Sequence, residues 1–113
     1  MFVVNQTDSY KWPVIVELPI DGGKFKKENF DAEFKRVPQS RIKEIVKLVE
    51  SDEMGDKELC KEVLVGWKGI QDNAGEELRF SETALDTILD IQGVAKCIVK
   101  AFFESISGVK IKN

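Results

Sequence analysis

The hydrophobic pattern of this chain changes period at Pro38, and that change limits the folds open to it. Before Pro38, apolar residues tend to recur at every second position, as in a strand; after it they recur at i, i+3, i+4 and i+7, as on one face of a helix. Val14-Ile15-Val16-Glu17-Leu18 is short and β-branched, with Pro13 at its start, where a strand tolerates proline. Asp21-Gly22-Gly23 predicts a tight turn, because glycine supplies positive φ without steric cost. Beyond it, between Phe25 and Val37, Phe30-Asp31-Ala32-Glu33-Phe34 alternates strictly and sets both rings on one face. The spacing predicts a twisted antiparallel hairpin in the strand-rich part, residues 1–37, with Phe2-Val3-Val4 as a third strand. A lone hairpin is marginal in water, so its apolar face requires helices or another chain beneath it.

The helical part, residues 38–113, supplies that cover. Ser40 is placed to cap a helix whose apolar positions are Ile42, Ile45, Val46 and Val49. Residues 51–56 interrupt it. A second helix carries Leu59, Val63 and Trp67 at i, i+4 and i+8 and is expected to stop between Gly66 and Gly69. Asp72-Asn73-Ala74-Gly75 predicts a turn. Ser81-Glu82 then starts a third helix, lined by Ala84, Leu85, Ile88 and Leu89, with Phe80 and Leu85 spaced as a hydrophobic staple. After Gln92-Gly93, a fourth helix bears Val94, Ile98, Ala101, Phe102 and Ser105 and is expected to end at Gly108, before the short basic tail Val109 to Asn113. The expected architecture is one α+β domain over residues 1–113: a small N-terminal antiparallel hairpin packed with about four helices.

Composition narrows the function classes. Hydrophobic residues make up 42% and charged residues 33%, enough for one core and a solvated surface. The net charge of -3, and the mixing of signs through Lys24, Lys26, Lys27, Glu28, Asp31, Glu33, Lys35 and Arg36, argue against a phosphate-binding footprint, so nucleic acid is not an expected partner. No apolar stretch approaches the ~20 residues of a membrane span. Cys60 and Cys97 are too few for a disulfide framework, and no basic-then-apolar leader opens the chain; both are expected as reduced cytosolic thiols.

The chemistry is equally restricted. The chain holds no histidine, which removes His-based triads and Cys/His zinc sites. Gly66-Trp67-Lys68-Gly69 is too short for a phosphate-binding loop. Asp52, Glu53 and Asp56 lie about Gly55 without the spacing of a calcium loop. Glu76 and Glu77 are paired carboxylates, but acid–base work needs a pocket that drives their pKa values apart. No catalytic residue, metal or cofactor is expected.

Surface for protein partners remains. Seven phenylalanines, two tryptophans and one tyrosine exceed what one small core plainly needs. If Phe102 faces the core with Ile98, Phe103 leans to a flank with Val99 and Ile106. That row either completes a wide core face or forms an exposed patch for another chain.

The segment Val65-Gly66-Trp67-Lys68-Gly69-Ile70, then Asp72, Gly75 and Leu78-Arg79-Phe80-Ser81-Glu82, resembles the central signature of tail assembly chaperones of long-tailed bacteriophages. Ile88-Leu89-Asp90-Ile91, Val94-Ala95, Ala101-Phe102-Phe103-Glu104 and the Lys112-Asn113 ending are also similar, as is an opening strand such as Trp12-Pro13-Val14. Gln92-Gly93 departs from the pattern, standing where related sequences are expected to carry proline. Gly66, Trp67, Phe80 and Ser81 are packing residues in this signature.

The resemblance implies a non-enzymatic protein of the host cytoplasm, not expected in the mature virion. It would bind and solubilise the tape-measure protein, bring tail-tube subunits to it, and form homo-oligomers. The partner surface expected from the helix pattern is Val99, Phe103 and Ile106, at i, i+4 and i+7. Two other readings stand beside it: a small cytosolic regulatory or adaptor domain, and an enzyme working through carboxylates.

Overall fold

The Asp21-Gly22-Gly23 turn forms as expected, with φ of 83° at Gly22 and 72° at Gly23. It joins β1 (Ser9–Ile20) to β2 (Lys24–Lys35) in an antiparallel hairpin whose register sets Val14 opposite Phe30 and Trp12 opposite Ala32. The computed structural model describes residues 1–107; the expected helix end at Gly108 and the tail Val109 to Asn113 lie outside the described residues. The remaining elements are α1 (Gln39–Glu50), α2 (Asp56–Val63), β3 (Leu64–Lys68), α3 (Glu82–Leu89) and α4 (Val94–Ser107). The fold is α+β, a three-stranded antiparallel sheet in the order β1-β2-β3 with four helices among the described residues.

Alternation in the hairpin decides which side chains enter the core. Val14 and Val16 of β1 and Ala32 and Phe34 of β2 are buried, whereas Ile15 between the two valines is 59% exposed. α4 covers this face, so that Phe34 meets Phe102 edge-on at 5.4 Å and Tyr10 at 6.0 Å. Toward the turn the hairpin outruns its cover, and residues 24–29 are all exposed. The long dimension of 46 Å matches strands of 12 residues, roughly 40 Å each. The radius of gyration, 15.0 Å, exceeds the ~13 Å typical of this length.

The third strand is not Phe2-Val3-Val4, which are exposed and outside the sheet. It is Leu64–Lys68, which the helical spacing had placed in the second helix. That helix stops at Val63, where Leu64 turns to φ -89° and ψ 118°. The free edge of β2 is the cause: Leu64 pairs with Phe34 and Trp67 with Ala32, contacts distant in sequence that outweigh the local helical period. A register shift between Glu33 and Phe34 leaves Val65 43% exposed. A Cβ at Gly66 would stand 2.9 Å from the Glu33 carboxylate, so a larger residue there would push that side chain aside. That carboxylate accepts a hydrogen bond from Ser9 Oγ at 2.5 Å and so ties β1 to β2.

The first helix also starts earlier than expected. Pro38, not Ser40, holds the N-cap position, and its carbonyl accepts the N–H groups of Arg41 and Ile42. Ser40 is already inside α1, where its hydroxyl caps nothing. Ile45 alone among the expected α1 positions is fully buried; Ile42 and Val49 lie at the core margin. A two-pronged bond ties α1 to α2: Arg41 Nε donates to Glu62 Oε2 at 2.8 Å and Nη2 to Oε1 at 2.6 Å. One core cluster takes residues from β1 through α4.

Candidate protein-binding surface

The α4 sequence is apolar over more than half its circumference, and the sheet takes only part of it. Val94, Ala95, Ile98, Ala101 and Phe102 are buried. Phe102 is fully buried between Phe34 and Phe103, whose ring it meets edge-on at 5.7 Å. The end of the helix is anchored to β1, with Tyr10 Oη and Ser105 Oγ at 2.7 Å. Arg36 lies over the same tyrosine ring at 5.0 Å. This anchor fixes the rotation of α4 and hence which residues face outward.

Val99, Phe103 and Ile106 form the next row along α4, as the i, i+4, i+7 spacing requires. Val99 and Phe103 are half-buried and pack against the core margin, while Ile106 is 40% exposed. The row is thus neither wholly core nor wholly surface. It completes the core with its inner edges and presents an apolar ridge with its outer ones. Tyr10 and Ser105 were not singled out as a pair, because a contact between the first strand and the last helix leaves no local trace in the sequence.

The signature residues assemble into a separate structural unit. Trp67 on β3 donates its indole N–H to the Leu78 carbonyl at 2.7 Å, and its ring meets Phe80 edge-on at 4.8 Å. The intervening segment doubles back: Leu78 N donates to Ile70 O, and Asp72 Oδ1 accepts the N–H groups of Ala74 and Glu76. Gly75 closes this turn with φ 80°. Ser81 then caps α3 by accepting from Ala84 N at 3.0 Å. Phe80, Leu85 and Val65 line a shallow groove of about 460 Å³ beside it.

The groups considered for chemistry lie apart from this ridge. Glu76 and Glu77 are exposed on the turn. Asp52 and Glu53 are exposed in the α1–α2 connection, with Glu53 bonded to Ser51. Among the described residues, no cluster of three or more His, Cys, Asp or Glu side chains is arranged to hold a metal ion. Cys60 is buried, and its thiol pKa is pushed up to about 12 by burial and then by the charge of Asp56. Among the described residues no helix is long and apolar enough to cross a membrane. No family model, curated protein or solved structure matches this chain.

Proposed function

We infer that this chain is a tail assembly chaperone of a long-tailed bacteriophage. It binds helical segments of the tape-measure protein, holds them soluble in the host cytoplasm, brings tail-tube subunits to them, and is absent from the finished particle. The observation that carries this reading is the ridge of Val99, Phe103 and Ile106 on α4. It offers three apolar anchors at helical spacing, none fully exposed. Such a surface gives contacts that are individually weak and reversible, as a client later handed to tube subunits requires. The signature from Gly66 to Ser81 supports the reading by resemblance and has a structural part in it, positioning β3 and starting α3.

Co-expression with the tape-measure protein encoded beside it tests the reading. The wild type should raise the soluble fraction of the tape measure and co-purify with it. Ile106→Asp should weaken that binding without lowering stability, because this side chain is the most exposed of the three. Phe103→Asp is the less informative variant, since Phe103 also packs on Phe102. A wild type that neither solubilises nor retains the tape measure would overturn the chaperone reading and favour an adaptor domain.

A further inference from the structure

β1 carries two prolines, Pro13 and Pro19, both at odd-numbered positions. Arg36 N donates to Asp8 O at 2.9 Å, in phase with the Ser9–Lys35 register, and this sets the alternation of the whole ladder. Even-numbered residues of β1 bond to β2, and odd-numbered residues turn their backbone groups to the opposite side. The strand order places that side at the edge of the sheet, uncovered by any strand among the described residues. Between the prolines, this edge offers free N–H groups at Ile15 and Glu17. Val16 lies midway between Pro13 and Pro19, so the edge is symmetric about it.

We propose that β1 pairs antiparallel with β1 of a second copy, about a two-fold axis at Val16, to make one continuous six-stranded sheet. Ile15 of each copy exchanges N–H···O=C bonds with Glu17 of the other, four bonds in all. Pro13 faces Pro19 of the second copy on both sides and ends the bonded stretch symmetrically. On the apolar face, Trp12 comes opposite Ile20, and Val14 opposite Leu18. Ile20 is 50% exposed and Trp12 and Leu18 are half-buried in the single chain, so the second copy supplies the cover they lack.

Charge identifies the occupant. Carried one residue past the end of β1, the same register brings Lys11 of each copy to Asp21, the first turn residue, of the other, an opposite-sign pair at both ends of the ladder. A second copy thus matches the edge in charge, in apolar pattern and in the places where donors stop. The contact is isologous and closes on itself, which blocks further growth along this edge. It is independent of what the α4 ridge binds.

Sedimentation equilibrium over micromolar loading concentrations tests it, with circular dichroism to show that each variant is folded. The wild type should be a dimer. Ile15→Pro removes an N–H that points away from β2, and should weaken dimerisation about tenfold or more. Lys11→Asp should weaken it a few-fold, and Lys11→Asp with Asp21→Lys should restore it. A monomeric wild type, an undiminished dimer in Ile15→Pro, or failure of the charge exchange to restore would each overturn the proposal. None of these results touches the tape-measure reading, whose test uses Ile106 on the other element.

Discussion

Trp67 donates its indole N–H to the Leu78 carbonyl at 2.7 Å, joining β3 to the segment that leads into α3. Phe80 completes the joint by meeting the indole edge-on. Two variants separate these contributions. Trp67→Phe keeps an aromatic ring but leaves the part-buried carbonyl without its donor, at a cost of about 1–2 kcal/mol. Trp67→Ala also removes the ring contact and should cost about 2–4 kcal/mol, below the usual cost for a fully buried tryptophan because this one is half-buried. Urea melts of both variants check the ordering, and wild-type stability in Trp67→Ala would make Trp67 a contact residue instead.

The two cysteines should differ sharply in reactivity. Cys60 is buried, its Sγ lies 3.5 Å from the Ala95 carbonyl, and its pKa near 12 keeps it a thiol at neutral pH. Cys97 is partly exposed on α4. A thiol reagent at pH 8 should therefore label Cys97 quickly and Cys60 only on global unfolding, as mass spectrometry of the digested protein would show. The same shift has a stability consequence. The unfolded thiol ionises above its ordinary pKa of about 8.5 while the folded one does not, so the contribution is full below that pH and falls as pH rises toward 12. Equal labelling of both thiols in the native protein would contradict the burial of Cys60.

Trp67 also shows where sequence pattern stops short of structure. Leu59, Val63 and Trp67 fit a helical repeat, yet the last of them sits on a strand because β2 has a free edge there. That partner lies some thirty residues away, beyond any local window. The hairpin was legible because everything that specifies it is local: glycines in the turn, alternation on both sides. Ser81 was legible for the same reason, while Ser40 misled because Pro38 stands two residues before it and already fits a helix start. In the candidate site, the row Val99, Phe103, Ile106 follows from spacing alone. How far each is exposed depends on the Tyr10–Ser105 anchor and on the sheet beneath, which spacing does not encode.

Glu62 predicts the response to acid. Its pKa is held below the ordinary carboxylate range chiefly by the hydrogen bonds from Arg41, against a smaller opposing effect of burial. A depressed carboxylate contributes stability that is present above its unfolded pKa of about 4.3 and is lost as pH falls through the lower folded value. Wild type should thus exceed Glu62→Gln in urea midpoint at pH 7, with the gap narrowing below about pH 4. A gap that stays constant across this range would mean that the Arg41 bond does not discriminate between the two protonation states.

Phe102 offers the clearest separation of stability from binding. It is fully buried, touches Phe34 on the sheet and Phe103 on its own helix, and lies one residue from the proposed ridge. Phe102→Ala should cost about 3–5 kcal/mol through lost burial and the cavity left behind. That is a large share of the 5–15 kcal/mol that holds a typical domain folded. Phe102→Leu retains most of the volume and should cost roughly half as much. Ile106→Asp, by contrast, should shift the melting temperature little, since the side chain is 40% exposed. The decisive comparison sets tape-measure retention against the melting temperature for the three variants. Retention should fall in Ile106→Asp at nearly wild-type stability, and in the Phe102 variants only to the extent that they unfold. If Phe102→Leu stays folded yet releases the client as readily as Ile106→Asp, the ridge is not the contact surface, and the partner reads the packing of α4 on the sheet.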